Sequence, residues 1–308
     1  MIRKILGKLF RNNNKVYVPL RCRLGNQMFE YAMARATALD TGGRPVLYKY
    51  DEQPFLLDGF LLTPELEYAD CSYYSICNKI GYWLKRKFLS EPKSSPARFA
   101  QEKRNKWWLA LFGLFFCDTG YIAPLILLMR KRNIHCFGWF QSEKYFSRHE
   151  DVIRRELSFK PEIITRCESL ACEIRNCESV CLHVRLGDYL DPKNSVFRVC
   201  TREYYDCAVQ YIKRCKPESV FYIFTDSPDI FQREFPMNDV KLIPELYSPT
   251  ESIYLGSQCK HHIMSNSSFS WWMQYLGKSA DQVVIAPVRW FNNNQVTDGL
   301  YQDHWILM

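Results

Sequence analysis

The chain has 308 residues, 47% of them hydrophobic and 24% charged, with a formal net charge of +8. That length holds two packed domains of roughly 150 residues each, with the composition of an ordinary globular protein. The positive balance points to nucleotide diphosphates, acidic lipids or nucleic acid, and the lack of any nucleic-acid-binding motif argues against the last. Thirteen cysteines contain no CxxC pair, which speaks against a four-ligand zinc site. They read instead as reduced, mostly buried thiols of a cytosolic protein.

In chain order, residues 1–10 (MIRKILGKLF) are basic, and charges interrupt their apolar positions, so they are not a secretory signal. Val16 to Pro19 reads as a strand, Arg23 to Gln27 as a turn around Gly25, and Met28 to Asp40 as a helix ended by Gly42 and Gly43. Pro45 to Tyr50 resumes as a strand, completing the opening of a βαβ unit. From Lys79 to Lys106 nine Lys or Arg face only Glu91 and Glu102; with Pro92 and Pro96, this stretch reads as a basic loop or flap. Trp107 to Met129 is apolar but interrupted by Asp118, Gly120 and Pro124, so two buried segments fit better than a membrane span.

Beyond Glu150 helices and strands alternate regularly. Helices are predicted over 151–157, 162–175, 203–215, 251–257 and 269–276. Strands are predicted over 179–184, 220–224, 262–265 and 283–286. Such alternation means a parallel, doubly wound sheet whose ligands sit at the carboxyl ends of strands.

Three constellations fall at such ends. In His183 to Tyr189 (HVRLGDY) a buried strand closes on a histidine, an arginine and an aspartate around Gly187. Arg185 offers a planar donor fork suited to a diphosphate, yet a salt bridge to Asp188 would use the same residues. Ser265 to Trp272 (SNSSFSWW) joins a strand to a helix, whose N-terminal N–H groups and dipole favour phosphate. Plain capping by Ser267 or Ser268, with Trp271 and Trp272 in the core, accounts for the same pattern. Asn266-Ser267-Ser268 is formally a glycosylation sequon, discounted at a buried junction. Arg23 to Gln27 (RLGNQ) has the position of a phosphate-approach loop, but by itself reads as a turn with an Asn cap. No two aspartates lie two apart, so no Asp-x-Asp holds a metal against a nucleotide diphosphate. With a nucleotide-sugar donor, arginine and backbone dipoles must neutralise the leaving group.

Taken in order, LGNQMFEYA (24–32), GWFQSEKYF (138–146), HVRLGDY (183–189), FTDSP (224–228), CKHHIMSNSSFSWW (259–272) and VIAPVRWF (284–291) resemble the bacterial α-1,2-fucosyltransferases, glycosyltransferase family 11. The resemblance implies a GT-B-type α/β fold of two Rossmann-like domains facing a cleft, divided near residues 155 and 156. The donor then lies in the second domain, and the last residues pack back on the first. It implies inverting transfer of L-fucose from GDP-β-L-fucose to the 2-hydroxyl of a galactoside in cell-surface glycan synthesis, with no cofactor and no metal. By match to the motifs, Arg185 falls on the β-phosphate. Arg23, Gly25, Asn26 and Gln27 approach the pyrophosphate and fucose. Thr225, Asp226, Asn266, Ser267, Ser268 and Phe269 line the rest of the donor pocket. Glu251 is placed where related enzymes set an acid on guanine; a helix-cap role suits it equally. His183 and Asp188 are the candidate proton acceptors, Asp188 the better of the two, and either could instead only position Arg185.

Two departures stand out: Glu30 where the family usually has Gln, and Leu186 where it has a second Arg, turned by strand alternation to the face opposite Arg185. Fucosyltransferases of other linkage (α-1,6 or protein O-linked) share the Arg and Ser motifs. A non-catalytic nucleotide-sugar- or glycan-binding protein is the reading of another class.

Ile2, Ile5, Leu6, Leu9 and Phe10 fall on one helical face, with Arg3, Lys4, Lys8 and Arg11 largely outside it. That pattern fits a helix lying on an anionic membrane, with residues 79–106 as a second electrostatic contact. The expected location is therefore cytoplasmic and peripheral on the inner face of the cell membrane, where a galactose-terminated acceptor could be lipid-linked.

Overall fold

The computed structural model describes residues 14–50, 52, 54–277 and 279–308. The face formed by Ile2, Ile5, Leu6, Leu9 and Phe10 lies outside the described residues. The chain divides into two compact units, one running to Ser158 and including Asn294–Tyr301, the other Phe159–Asn293 with Gln302–Met308.

The first unit holds a five-stranded sheet in the order β3-β2-β1-β5-β4. Its strands are β1 (Lys15–Leu20), β2 (Arg44–Lys49), β3 (Glu67–Ala69), β4 (Leu114–Cys117) and β5 (Ile134–Gly138), all paired in parallel. β1, β4 and β5 are almost wholly buried, which is why they read as apolar runs rather than alternating ones. The helix after β1 spans Leu24–Thr41 and ends at Gly42, whose φ of 66° lets its N–H donate to Ala38 O. The predicted turn at Arg23 to Gln27 is thus already helix from Leu24 onward, with Arg23 as the N-cap residue.

The basic stretch is not a loop. Ile76–Phe88 and Pro96–Leu111 are helices; the first opens on a capping box between Ser75 and Asn78, the second on Ser95 with Pro96 at its first position. Proline there gives up an N–H that would have had no helical acceptor anyway, so the residue that reads as a breaker is a start signal. Arg98 Nε donates to Glu102 Oε1 at 2.8 Å, and Glu102 Oε2 accepts from Asp118 N–H at 3.0 Å, tying the second helix to the end of β4. Of the two segments expected to be buried over 107–129, β4 is, whereas Ile126–Met129 leaves Leu127 78% exposed. No described helix is long and apolar enough to cross a membrane.

The second unit holds a six-stranded parallel sheet, β11-β10-β9-β6-β7-β8. Its strands are β6 (Glu178–Val184), β7 (Ser219–Thr225), β8 (Val240–Leu242), β9 (His261–Ile263), β10 (Val284–Ala286) and β11 (Ile306–Leu307). The alternation of β6 sends Val180, Leu182, Val184 and, beyond its end, Leu186 into one core with Tyr204, Tyr205, Ala208 and Ile212 of the helix Arg202–Cys215. Leu186 is therefore a core residue, on the face away from Arg185. Trp271 and Trp272 are fully buried and pack against Tyr275. The short β8, the helix Pro228–Glu234 and the two-residue β11 were not predicted. The thiols are free, but Cys71, Cys172, Cys207 and Cys215 are exposed, against the expectation of mostly buried cysteines.

Candidate active site

In the first unit's sheet β1 and β5 lie side by side between β2 and β4; in the second unit's sheet the strand order reverses once, between β6 and β9. A doubly wound sheet opens a crevice at such a point, beyond the carboxyl ends of the two strands. HVRLGDY leaves β6 there and SNSSFSWW follows β9, so two of the three predicted constellations flank one switch point.

Arg185, the first residue past β6, has a side chain 14% exposed and gripped on both prongs. Nη1 lies 3.0 Å from Asp226 Oδ2 and Nη2 lies 2.5 Å from Asp188 Oδ1. Asp226 is itself fixed, because Oδ1 accepts from the N–H of Leu186 at 2.9 Å. Gly187 donates to Ser227 Oγ at 3.2 Å, and a Cβ on it would stand 2.3 Å from Asp226 Oδ2, so no side chain fits there. Thr225 ends β7, half-buried, and its Oγ1 accepts from Ser227 N–H. Tyr189 places its ring 5.5 Å from the guanidinium and donates to Asn266 O, linking the two loops. Asp226 is the rigid partner and Asp188 the replaceable one: Asp188 is 43% exposed, and an exposed ion pair contributes about 0–1 kcal/mol.

Across the switch point, Ser267 is the N-cap of the helix Ser268–Leu276 and accepts from Phe269 N–H at 3.2 Å. Ser268 and Phe269 remain partly exposed on the first turn. Asn266 is 2% exposed, and its amide donates to Phe197 O and Trp290 O, each at 2.9 Å. It braces the loops, and the sequon is inaccessible. His183 is buried, with Nδ1 2.7 Å from Ser265 Oγ and its ring 5.5 Å from Phe269. Burial, then the adjacent Arg185 charge, lowers its pKa to about 3, so the imidazole is neutral and a poor proton acceptor. Asp188 reaches solvent.

Glu251 is 2% exposed and closes a capping box. Its Oε2 accepts from Ser248 N–H at 2.6 Å, and Oε1 pairs with Arg166 at 3.0 Å. Both oxygens serve the cap and the ion pair, as the helix-cap reading expects.

In the first unit the carboxyl ends of the adjacent strands β1 and β5 carry the third constellation. Arg23 is exposed, Gly25 buried in the first helical turn, and Asn26 Oδ1 accepts from Gln141 Nε2 at 2.8 Å, bridging the helix after β1 and the loop after β5. Gln27 is fully buried: it donates to Cys22 O and Pro54 O and accepts from Leu56 N–H, so it clamps loops rather than reaching a ligand. Cys22 and Phe140 hold φ values of 55° and 52°, strained for residues with side chains, one in each loop. Arg21, which no sequence pattern singled out, lies 9% exposed between the rings of Tyr50 and Trp139, at 4.9 and 5.5 Å. Its N–H donates to Glu30 Oε2, a bond that glutamine's carbonyl could equally accept. Among the described residues no group of three or more His, Cys, Asp or Glu could hold a metal ion.

Two units, each built on its own parallel sheet with an arginine just past a central strand, have a GT-B-type architecture. The fucosyltransferase NodZ from Bradyrhizobium shares the fold, with a TM-score of 0.53 at 17% identity over 86% of this chain and 92% of that one. Residues 124–308 match the family described as Glycosyl transferase family 11. Two proteins of Escherichia coli are similar over most of their length. The O-antigen biosynthesis glycosyltransferase WbnK is 26% identical over 94% of this chain and 99% of its own. An alpha-1,2-colitosyltransferase is 28% identical over 89% and 91%. The chain belongs to glycosyltransferase family 11.

Proposed function

We propose that the protein transfers L-fucose from GDP-β-L-fucose to the 2-hydroxyl of a galactoside, with inversion, to give an α-1,2 linkage. The observation that carries this reading is Arg185, held as a two-pronged donor beside the N-terminus of Ser268–Leu276 at the second unit's switch point. As the bond from the fucose anomeric carbon to the β-phosphate oxygen breaks, negative charge builds on GDP. Arg185 and the helix N-terminus meet it there, while the acceptor 2-hydroxyl attacks the opposite face. Asp188 gives up one prong of Arg185 to the phosphate and takes the hydroxyl proton. His183 is a positioning residue, bonded to Ser265 beneath the phosphate loop. Arg23 and Asn26 are assigned to donor binding by their match to the family motif. No metal is required, in keeping with the absent Asp-x-Asp, so turnover should persist in excess EDTA; a loss restored only by Mg²⁺ or Mn²⁺ would contradict this.

The test is GDP release and product linkage with a panel of β-galactosides. Acceptor-dependent release with a 2-linked product supports the proposal. Binding of GDP-fucose without turnover on any acceptor leaves only a binding protein. The similarity to a colitosyltransferase favours one second reading, transfer of colitose, which is fucose lacking the 3-hydroxyl. Comparing kcat/KM for the two GDP-sugars separates them.

A further inference from the structure

The helices Ile76–Phe88 and Pro96–Leu111 carry an inverted surface. On the first, Ile76, Ile80 and Trp83 stand at i, i+4 and i+7 and are 48%, 48% and 59% exposed. The residues that turn inward are Asn78 and Gly81: Asn78 Nδ2 donates to Phe112 O at 2.7 Å, and a Cβ on Gly81 would meet Phe112 Cβ at 2.4 Å. On the second helix Trp107 and Leu111 are 58% and 42% exposed. The Phe88 and Trp108 rings, 4.9 Å apart, join the pair, so these apolar groups ride on a fixed platform.

Basic groups frame them. Between Lys79 and Lys106 the acids are Glu91 and Glu102, and Glu102 is 1% exposed and paired with Arg98, leaving Glu91 alone at the surface of that stretch. Lys87 Nζ lies 5.4 Å from the Trp83 ring and Lys85 Nζ 4.6 Å from that of Tyr82. A cavity of about 380 Å³ opens beside them, lined by Tyr74, Lys79, Tyr82, Trp83 and Arg86.

We infer that this helix pair docks on an anionic lipid bilayer. A nucleic acid or acidic peptide would satisfy the cations but leave Ile76, Ile80 and Leu111 facing water. A bilayer interface supplies anionic headgroups and apolar depth at once, and Trp rings with flanking Lys are suited to that boundary. Trp83, Trp107 and the aliphatic side chains enter the headgroup–acyl boundary. A lipid phosphate enters the cavity between Lys79 and Arg86. The inference is independent of which sugar is transferred.

The experiment is co-sedimentation of the full chain with phosphatidylglycerol–phosphatidylcholine vesicles against pure phosphatidylcholine, at low and high salt. Binding should need phosphatidylglycerol, weaken with salt and shift tryptophan emission to the blue. K79E/R86E should weaken it by roughly fivefold or more for each charge removed. W83S/W107S should lower it by about tenfold or more while melting and turnover on a soluble acceptor stay unchanged. Equal recovery in the supernatant with and without phosphatidylglycerol would overturn the inference. So would undiminished binding by W83S/W107S, or binding lost only when residues 1–13 are deleted. Self-association abolished by W83S/W107S, without vesicle binding, would assign the surface to a second copy of the chain instead.

Discussion

Past the carboxyl ends of β1 and β6 the two units put the same residue type to opposite uses. In the second unit Arg185 is gripped by two carboxylates, so its planar fork is oriented while one partner, Asp188, stays exchangeable. In the first unit Arg21 is gripped by two aromatic faces; no described residue accepts from its Nε, and its position is set by packing. A carboxylate partner can be traded for a phosphate of like charge. An aromatic face cannot. On the proposed mechanism Arg185 is the arginine that exchanges partners during the reaction, whereas Arg21 shapes a wall.

Arg185→Lys should break that comparison most sharply. Lysine keeps the charge but loses the second prong, and turnover should fall by roughly 100-fold or more, the scale of one removed oxyanion donor. Thermal melting alongside steady-state kinetics checks it. Near-normal turnover with unchanged melting would take Arg185 out of the mechanism.

Gly187→Ala should act through the grip rather than the charge. The new Cβ displaces the Asp226 carboxylate, which orients both Arg185 and the Leu186 N–H. A cost of about 1–3 kcal/mol in stability is expected from the overpacking, with turnover lowered roughly tenfold as the fork loses alignment. Urea unfolding and kcat measured together decide it. Full turnover would show that Asp226 need not hold Arg185.

This contrast was only half legible in the sequence. β6 and the serine helix announced themselves, since an apolar run ending on charged residues and a Ser-rich helix start follow from local chemistry. Asp226 came through the FTDSP resemblance, but nothing local says that it reaches back to Leu186 N–H, forty residues away. Arg21 gave no signal because Tyr50 and Trp139 meet it only through the sheet order β2-β1-β5. Cys22 hid a left-handed backbone position that a glycine would have revealed. The helices over 76–111 were missed for a different reason. The first turns Ile76, Ile80 and Trp83 outward and packs through Asn78, Gly81 and Tyr82, and the second buries Arg98 and Glu102 while leaving Trp107 and Leu111 exposed, so the usual amphipathic pattern pointed the wrong way.

Buried histidines give both units a pH-dependent stability. Burial lowers the pKa of His135 in the first unit to about 3, and burial aided by the Arg185 charge does the same to His183 in the second. The unfolded chain takes these protons near pH 6.5 and the folded chain does not. Stability is therefore full above 6.5 and falls as pH drops toward 3, by up to about 1.4 kcal/mol per pH unit for each group. His135→Phe keeps the stack between Tyr17 and Tyr74 and should remove the first unit's share of that slope. Urea unfolding of the variant and parent from pH 7.5 to 4.5 reads it. A difference that does not change with pH would mean that His135 takes up its proton without unfolding.

Arg21→Met should change least, because two effects of similar size oppose each other. Losing the cation over Tyr50 and Trp139 costs about 0.5–2 kcal/mol. Removing a buried donor that no described residue satisfies returns about 1–3 kcal/mol. The methionine chain occupies the same slot, and the backbone N–H keeps its bond to Glu30. Stability should therefore stay within about 1 kcal/mol of the parent, and kcat/KM within roughly threefold, since a wall residue contributes little to charge developing on the leaving group. Urea midpoints and turnover on one soluble acceptor measure both. A turnover loss on the scale of Arg185→Lys would place Arg21 among the reacting groups and erase the distinction between the two arginines. A stability loss beyond about 3 kcal/mol would mean the guanidinium has a polar partner in solution, and that the first unit, like the second, orients its arginine by charge.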